Sequence, residues 1–291
     1  MATLAKRVTE NAEGEFYVDS TCIDCDTCRQ LAPASFADTG SHSYVRAQPN
    51  TESERREAMR ALLACPTSSI GMVGGSAKAA LDDFPLLLDG EVYYCGFNSE
   101  KSFGGNSYFV RHPGGNWLID SPRWLPHLAA KFEALGGISR IFLTHRDDVA
   151  DAHSYAKRFD AERIIHRDEF DSQPGAERLM KGYDPIELAA EFLAIPTPGH
   201  TSGHCVLLYA DKFLFTGDHL WWSRNKNALS ASRDYCWDSW AKQIGSLELL
   251  TRYRFEWVLP GHGERKHLPA PQMQAEMEKL CSSARNPKYG R

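Results

Sequence analysis

The sequence predicts two units in series, a small α+β domain over residues 1–80 and a larger, strand-rich domain over residues 81–291. Three observations predict this. Cys22, Cys25, Cys28 and Cys65 cluster early in the chain, while the other four cysteines are scattered at 95, 205, 236 and 281. From Phe84 onward the pattern changes to short apolar runs. Four of these, Ile141-Phe142-Leu143, residues 192–195, Phe213-Leu214-Phe215 and Trp257-Val258-Leu259, lead into Gly, Pro or Thr and then His or Asp. Runs of this length bounded by turn residues read as buried strands, and the loops after them gather at one sheet edge.

In the first unit a polar start gives way to a short strand at Glu15-Phe16-Tyr17-Val18-Asp19. The run Cys22-x-x-Cys25-x-x-Cys28 lets three thiolates reach one cubane from a single turn of chain, and Cys65-Pro66 offers the fourth. Tyr44-Val45-Arg46 is a candidate strand, residues 52–64 a helix, and residues 71–83, with Gly74-Gly75-Ser76, the connection between domains. A structural zinc is the alternative for four thiols, but such sites usually arrange them as two Cys-x-x-Cys pairs. The scattered four cysteines are expected as buried thiols.

Residues 16–70 resemble the bacterial-type ferredoxins that carry one cluster. In two-cluster members a Cys-Pro stands four positions after the third Cys; here that place is Ala32-Pro33. The resemblance implies a single 4Fe–4S cluster on Cys22, Cys25, Cys28 and Cys65.

The second unit begins with strands at 86–88 and 92–95 around the Asp89-Gly90 turn. Strands at 108–111 and 117–120 follow, joined by the hairpin turn His112-Pro113-Gly114-Gly115-Asn116. Residues 122–135 read as an amphipathic helix stopped by Gly136-Gly137. After the run at 141–143 come a helix at 152–159, a strand at 163–165 and a polar helix at 173–181. The second half opens at 184–187, pairs 205–209 with 213–215 through Ala210-Asp211-Lys212, and places helices at 237–253 and 269–284.

The four loops carry Thr144-His145-Arg146-Asp147, Pro198-Gly199-His200-Thr201-Ser202-Gly203-His204, Gly217-Asp218-His219 and Pro260-Gly261-His262-Gly263. Imidazole and carboxylate groups are the ligands that zinc and iron accept. In this order the motifs resemble the metallo-β-lactamase superfamily, from about Phe84 to the C-terminus. The resemblance implies an αββα sandwich with metal at the sheet edge. The family's first motif, His-x-His-x-Asp-His, laid without gaps, falls on His145, Asp147, Val149 and Ala150. It follows that His145, His200 and Asp218 keep the first metal position, with Asp147 as a fourth donor. The second keeps only Asp218 and His262, because Val149 and Ala150 cannot ligate, so one metal is expected. The resemblance also implies that His204 orients the second-motif loop and that Asp120 ends a strand beside the metal loops. His153 is expected away from the metal, and His219 either lines the pocket or points away. The stretch from Leu220 to Arg233, with Trp221, Trp222, Arg224 and Lys226, either shapes a substrate pocket or packs into the core.

A net charge of −5 and the lack of a Lys/Arg run speak against a nucleic-acid surface. No apolar stretch is long enough to span a bilayer, and the first residues lack the apolar core of a secretory signal. A reducing compartment is expected, the cytoplasm or an organelle stroma. Two His and one carboxylate with open positions is the facial arrangement of mononuclear non-haem iron. In the superfamily, persulfide dioxygenases hold one iron at the positions of His145, His200 and Asp218, and flavodiiron proteins put a carboxylate where Asp147 stands. Most members are zinc hydrolases, whose first-motif Asp, here Val149, manages the proton of the metal-bound water. A hydrolase has no evident use for a cluster. The expectation is therefore a redox enzyme in which the 4Fe–4S cluster supplies electrons to a mononuclear site, iron favoured over zinc, with Asp147 and His262 as candidate catalytic residues. A small-molecule substrate and an electron-donor protein are the expected partners. A single-metal zinc hydrolase with a structural or regulatory cluster is the alternative, and a cluster-bearing sensor or non-catalytic binding protein the second.

Overall fold

The computed structural model describes residues 1–286 and 288–289. In the N-terminal unit, Phe16–Val18 pairs antiparallel with Ile70–Met72, Val18 opposite Ile70, and a hairpin joins Phe36–Asp38 to Ser43–Val45. Helix Thr27–Leu31 starts inside the cysteine run, and helix Glu52–Ala64 delivers Cys65 at its C-terminal end. Thr51 starts that longer helix with a reciprocal box: its hydroxyl accepts from the Glu54 N–H, while the Glu54 carboxylate accepts from the Thr51 N–H. Phe16, Val18, Phe36, Val45, Met59 and Ile70 form a buried core under the helix. Each such side chain contributes roughly 1.5–3 kcal/mol relative to exposure.

The segment 71–83 is more ordered than a connection. Its start belongs to the strand Ile70–Met72, and Ala77–Asp83 forms 3-10 turns with Ala80 fully buried. Asp83 is held by the guanidinium groups of Arg56 and Arg60, which fastens these turns to the long helix.

Two sheets build the second unit. The first runs in space as Arg178–Met180, Glu162–His166, Arg140–Phe142, Trp117–Ile119, Tyr108–Val110, Val92–Tyr94 and Leu86–Asp89. The second runs Ile186–Ala189, Phe192–Pro196, Cys205–Tyr209, Phe213–Gly217, Trp257–Pro260 and Lys266–His267. The sheets meet through aromatic stacks, with Trp117 on Phe192 at 4.2 Å and Tyr108 against Phe215 at 5.4 Å between ring centroids. Helices Pro126–Ala134 and Ala152–Phe159 cover the first sheet, where Phe132 stacks on Phe109. Helices Trp240–Leu250 and Ala270–Ala284 cover the second through Leu247, Leu250, Met273 and Met277 against Leu214 and Val258. The order is helix, sheet, sheet, helix, an αββα sandwich. Among the described residues no helix is long and apolar enough to cross a membrane.

Three helices differ from expectation, each for a local reason. The first outer helix begins at Pro126, since the Trp124 N–H donates to Asp151 Oδ2 at 2.7 Å and proline suits a first helical position. No helix forms at 173–181. Gly175 turns there at φ +77°, and the buried Arg163 donates to its carbonyl at 2.5 Å and to Glu177 at 2.7 Å. The segment is thereby drawn onto the sheet edge as Arg178–Met180, parallel to Glu162–His166. The helix expected at 237–253 contracts to Trp240–Leu250, with Ser239 capping it.

Candidate metal centres

Cys22, Cys25, Cys28 and Cys65 line one pocket with Val18, Ile23, Ser43, Thr67 and Ser69, and all four are free thiols. Backbone N–H groups point at their sulfurs: Ser43 to Cys22 at 3.4 Å, Asp24 to Cys22 at 3.5 Å and Ser69 to Cys65 at 3.3 Å. Asp24 and Asp26 take left-handed backbone conformations that wrap the loop, and the buried Arg29 holds both carboxylates at 2.7 and 2.6 Å. Burial pushes the Cys25 thiol up to about 11 and raises that of Cys28 further. Thiolates this buried need a nearby cation, which cluster iron would supply. The donor set and its N–H···S contacts fit a cubane cluster.

At the sheet edge, Phe213–Gly217 and Trp257–Pro260 run parallel side by side, so the loops carrying Asp218 and His262 emerge together. Oδ2 of Asp218 lies 3.7, 3.8 and 3.9 Å from the Nε2 atoms of His145, His200 and His262. Asp147 Oδ2 is 3.8 Å from His145 Nε2 and 3.6 Å from His200 Nε2, closing a first group of four. Donors about 2.1 Å from a shared ion stand roughly 3.4 Å apart in tetrahedral geometry, so the group needs only slight contraction.

Asp148 fills the position for which the ungapped motif offered Val149. Its side chain is 2% exposed against 49% for Asp147, and its Oδ1 is 3.8 Å from His262 Nε2. Ligand atoms of His145, Asp148 and Asp218 also lie within 4.8 Å of one another. Val149 packs against the hydrophobic core instead, and Ala150 turns at φ +32°, which removes the loop from the register a regular motif would impose. The second position therefore has Asp148, Asp218 and His262. The reason for expecting a single metal, a second position short of donors, does not hold.

The fit to cations can be tested on the protein's own polar atoms. His145 Nε2, His200 Nε2, both oxygens of Asp148 and Asp218 Oδ1 are buried without a hydrogen-bond partner. Left so, each would cost about 1–3 kcal/mol or more, which a bound ion removes. The backbone is shaped to leave the carboxylates room: a Cβ on Gly105 would meet Asp148 Oδ1 at 2.5 Å, and one on Gly261 would strike Asp148 and Asp218. Burial lowers His145 to about 4, so its imidazole is neutral and ready to ligate. The His200 imidazole, 3.6 Å away, holds the Asp147 carboxyl below its usual range. Burial, then the neighbouring Asp218, raises that of Asp148 well above it. Burial works against charge on Asp218, but His262, His145 and His200 outweigh it and hold that carboxyl low.

The surrounding residues orient these donors. Thr144 bonds to His145 Nδ1 at 3.0 Å and donates to Asp120, whose buried carboxyl is pushed up to about 8 by burial. His204 Nδ1 meets Thr197 Oγ1 at 2.9 Å behind the second-motif loop, and His219 is buried with its ring 5.4 Å from that of His204. His153 sits by Arg163, away from the centre. The tryptophan pair splits within the hairpin of Trp221–Ser223 and Ala228–Ser230. Trp222 joins the second core, whereas Trp221 packs on Gly263 beside His262. Arg224 of the same hairpin reaches Asp26 at 3.4 Å and Glu264 at 3.6 Å, tying the cysteine loop to the His262 loop.

An αββα sandwich with His and Asp loops gathered at its sheet edge, preceded by a four-cysteine unit, defines the class of the molecule. Residues 102–262 match the metallo-beta-lactamase superfamily, and residues 18–72 match the 4Fe-4S single cluster domain of Ferredoxin I. The chain belongs to the metallo-β-lactamase superfamily and carries an N-terminal single-cluster ferredoxin-type domain. Among curated proteins it is similar to the hydroxyacylglutathione hydrolase of Rhizobium meliloti (strain 1021), 33% identical over 133 residues, covering 44% of this chain and 52% of that one. The enzyme of the same name from Rhizobium etli is 36% identical over 142 residues, 47% of this chain and 52% of the relative. The chain thus spans about half the length of the curated relatives it matches. Among solved structures, the DIM-1 metallo-β-lactamase exposed to ceftazidime superposes with a TM-score of 0.54 at 17% identity, over 68% of this chain and 95% of that one. VMB-1 gives 0.52 at 18% identity, over 66% and 95%. At such identities the likeness is one of fold.

Proposed function

We propose that the chain is a redox metalloenzyme in which a 4Fe–4S cluster on Cys22, Cys25, Cys28 and Cys65 feeds electrons to a metal centre at the sheet edge. The observation that carries this reading is the turn of Asp147 toward His145 and His200, at 3.8 and 3.6 Å. With Asp147, Asp148 and Asp218 beside His145, His200 and His262, half of the donors are carboxylates. Oxygen-rich sets of this kind suit iron or manganese better than the imidazole- and thiolate-rich sets typical of zinc. Two ions sharing Asp218 are accommodated by the six donors, in place of the single ion expected from the sequence. When bound, the cluster supplies single electrons and the second centre supplies open positions for a small molecule. The chain's own residues hold the ligand loops in place: Thr144 and Asp120 fix His145, and Thr197 fixes His204 behind the loop of His200. Phe103 and Trp237, both exposed, stand with ring centroids 6.4 Å from His262 and His200 and flank the approach.

A second reading is a metal-dependent hydrolase with a structural or regulatory cluster. Asp148 favours it, because a buried carboxylate beside His262 can manage the proton of an attacking water, and the curated relatives are named as hydrolases. Anaerobic purification with metal analysis and paramagnetic resonance separates the two. Iron in both centres supports the redox reading, and a cluster accompanied by zinc supports hydrolysis. A cluster with no metal at the sheet edge sinks both in favour of a sensor.

A further inference from the structure

We propose that the Gly104–Gly105 peptide is the bridge along which electrons cross from the cluster to the sheet-edge centre; this rests on the redox reading above. The two glycines touch the two centres from opposite sides. A Cβ built on Gly104 would lie 2.6 Å from the Cβ and 3.0 Å from the Sγ of Cys25, and one on Gly105 would lie 2.5 Å from Asp148 Oδ1. Side chains are excluded at both positions by that approach, and at Gly104 also by a φ of +87°. One peptide unit therefore separates backbone in contact with a cluster cysteine from backbone in contact with a metal-site carboxylate. Adding these contacts to standard backbone dimensions bounds the distance from Cys25 Sγ to Asp148 Oδ1 at about 12 Å. Electrons tunnel readily through bonded and tightly packed atoms over such a span.

The bridge is buried and hydrogen-bonded on both sides. Gly104 and Gly105 are buried, as are Asn98, Ser102 and Asn106 around them. The Gly104 N–H donates to Ser99 O at 2.8 Å and the Gly105 N–H to Ser102 O at 2.7 Å. The Asn98 side-chain amide donates to the Gly104 carbonyl at 2.6 Å and to Thr27 Oγ1 at 3.1 Å, and that hydroxyl lies 3.4 Å from Cys25 Sγ. On the far side the Asn106 N–H donates to Gly261 O at 2.7 Å, in the loop of His262. Both flanks of the peptide are thus pinned to the elements that hold the two centres. In the transfer step the reduced cluster loses one electron and a ferric ion at the sheet edge gains it; no covalent bond forms or breaks. Dithionite, a low-potential one-electron donor, restores the cluster.

The test uses the full chain with both centres loaded with iron under anaerobic conditions. The cluster is reduced by a substoichiometric pulse of dithionite, and freeze-quench paramagnetic resonance follows its signal as the ferric signal falls. Wild type should pass the electron on. Asn98→Ala frees the Gly104 carbonyl without adding an atom beside Cys25, and should keep its cluster irons, cluster spectrum and midpoint potential yet transfer several-fold more slowly, a change that a role in folding alone would not produce. Gly104→Ala, whose Cβ would crowd Cys25, should in contrast disturb the cluster spectrum itself. Transfer at the wild-type rate in the Asn98 variant, or an undisturbed cluster in Gly104→Ala, overturns the bridge while leaving the redox reading standing. No transfer in wild type overturns the redox reading itself, and the bridge with it.

Discussion

His262 Nε2 and Asp148 Oδ1 face each other at 3.8 Å, with Asp218 Oδ2 3.9 Å from the same imidazole nitrogen. The imidazole comes from the loop after Trp257–Pro260 and the carboxylate from the loop after Arg140–Phe142, so their meeting is made by both sheets together. Asp148 has no other partner to explain this orientation: both its oxygens are buried without a hydrogen bond. Asp148 is the member of the pair that an ungapped reading of the first motif misses.

Asp148→Asn keeps the volume but removes the charge, and should take away one metal equivalent while the ion near His145 and His200 remains. The weakening should be at least on the order of the 10–100-fold seen when outer-shell partners of metal ligands are removed. Elemental analysis after dialysis against a graded chelator reads this directly. Unchanged metal content would count against Asp148 as a donor.

Asp218→Ala should be more severe than His262→Ala. Its Oδ2 stands within 3.9 Å of all three imidazoles, so its loss removes a donor from both positions at once. Both ions should leave Asp218→Ala, whereas His262→Ala should retain the ion at His145 and His200. Equal losses in the two variants would argue against a shared carboxylate.

Much of this centre was legible in the sequence, and the exception is instructive. His145, His200, Asp218 and His262 each follow an apolar run that could only be a buried strand, so their gathering at one edge followed from sheet geometry. Asp148 was hidden because its loop has no period: the adjacent Asp147 and Asp148 both face the centre, and Ala150 at φ +32° breaks the spacing. The expected helix at 173–181 failed for a related reason. Its polar run carried no decisive pattern, and the guanidinium of Arg163, remote in sequence, settled its course. The closeness of Cys25 to Gly104 was likewise beyond sequence, since it depends on how two separately built cores pack together.

The titration of Asp120 gives a prediction with a defined sign. Burial raises its folded-state carboxyl to about 8, far above the roughly 3.9 of an unfolded aspartate, so the folded chain holds a proton that the unfolded chain has released. Its contribution to stability is full below the unfolded value and is lost as pH rises through about 8. His145 works in the opposite direction between about 4 and 6.5, while Asp148 and His200, both raised, add to the fall at higher pH, so the share of Asp120 is read from its variant. With the sheet-edge metals removed, the melting temperature should fall as pH rises from 6.5 toward 8, and Asp120→Asn should flatten that slope. A flat wild-type profile would show that Asp120 is ionised throughout.

Gly199, next to His200, and Gly245 should respond in opposite ways to alanine. Gly199 has a φ of +146°, and a Cβ there would lie 2.5 Å from the backbone N of Gln243 in the facing helix. Gly199→Ala should cost roughly 1–3 kcal/mol and displace His200 with its metal. Gly245 lies inside helix Trp240–Leu250 with nothing within 4 Å of a new Cβ, so Gly245→Ala should stabilise by about 0.5–1 kcal/mol. Urea unfolding measures both, and the same sign for the two would contradict the steric account.

Cys65→Ser tests whether the four thiols form one centre. Cys65 stands at the end of helix Glu52–Ala64, 37 positions from Cys28 in the chain, yet shares a pocket with Cys22, Cys25 and Cys28. Its Sγ accepts from the Ser69 N–H at 3.3 Å, and a serine oxygen can keep that hydrogen bond, so the fold around it should survive. What changes is the ligand, because thiolate holds cluster iron far better than a hydroxyl does. Wild type isolated without air should be brown and hold about four cluster irons per chain, the number a four-Cys cubane requires. Cys65→Ser should lose the cluster or convert it to one with fewer irons, visible in its absorption and paramagnetic spectra. The metals at His145, His200 and Asp218 should stay, since no ligand there has changed. Retention of a full cluster by the variant, or disulfides among these four cysteines in reduced wild-type protein, would refute the assignment.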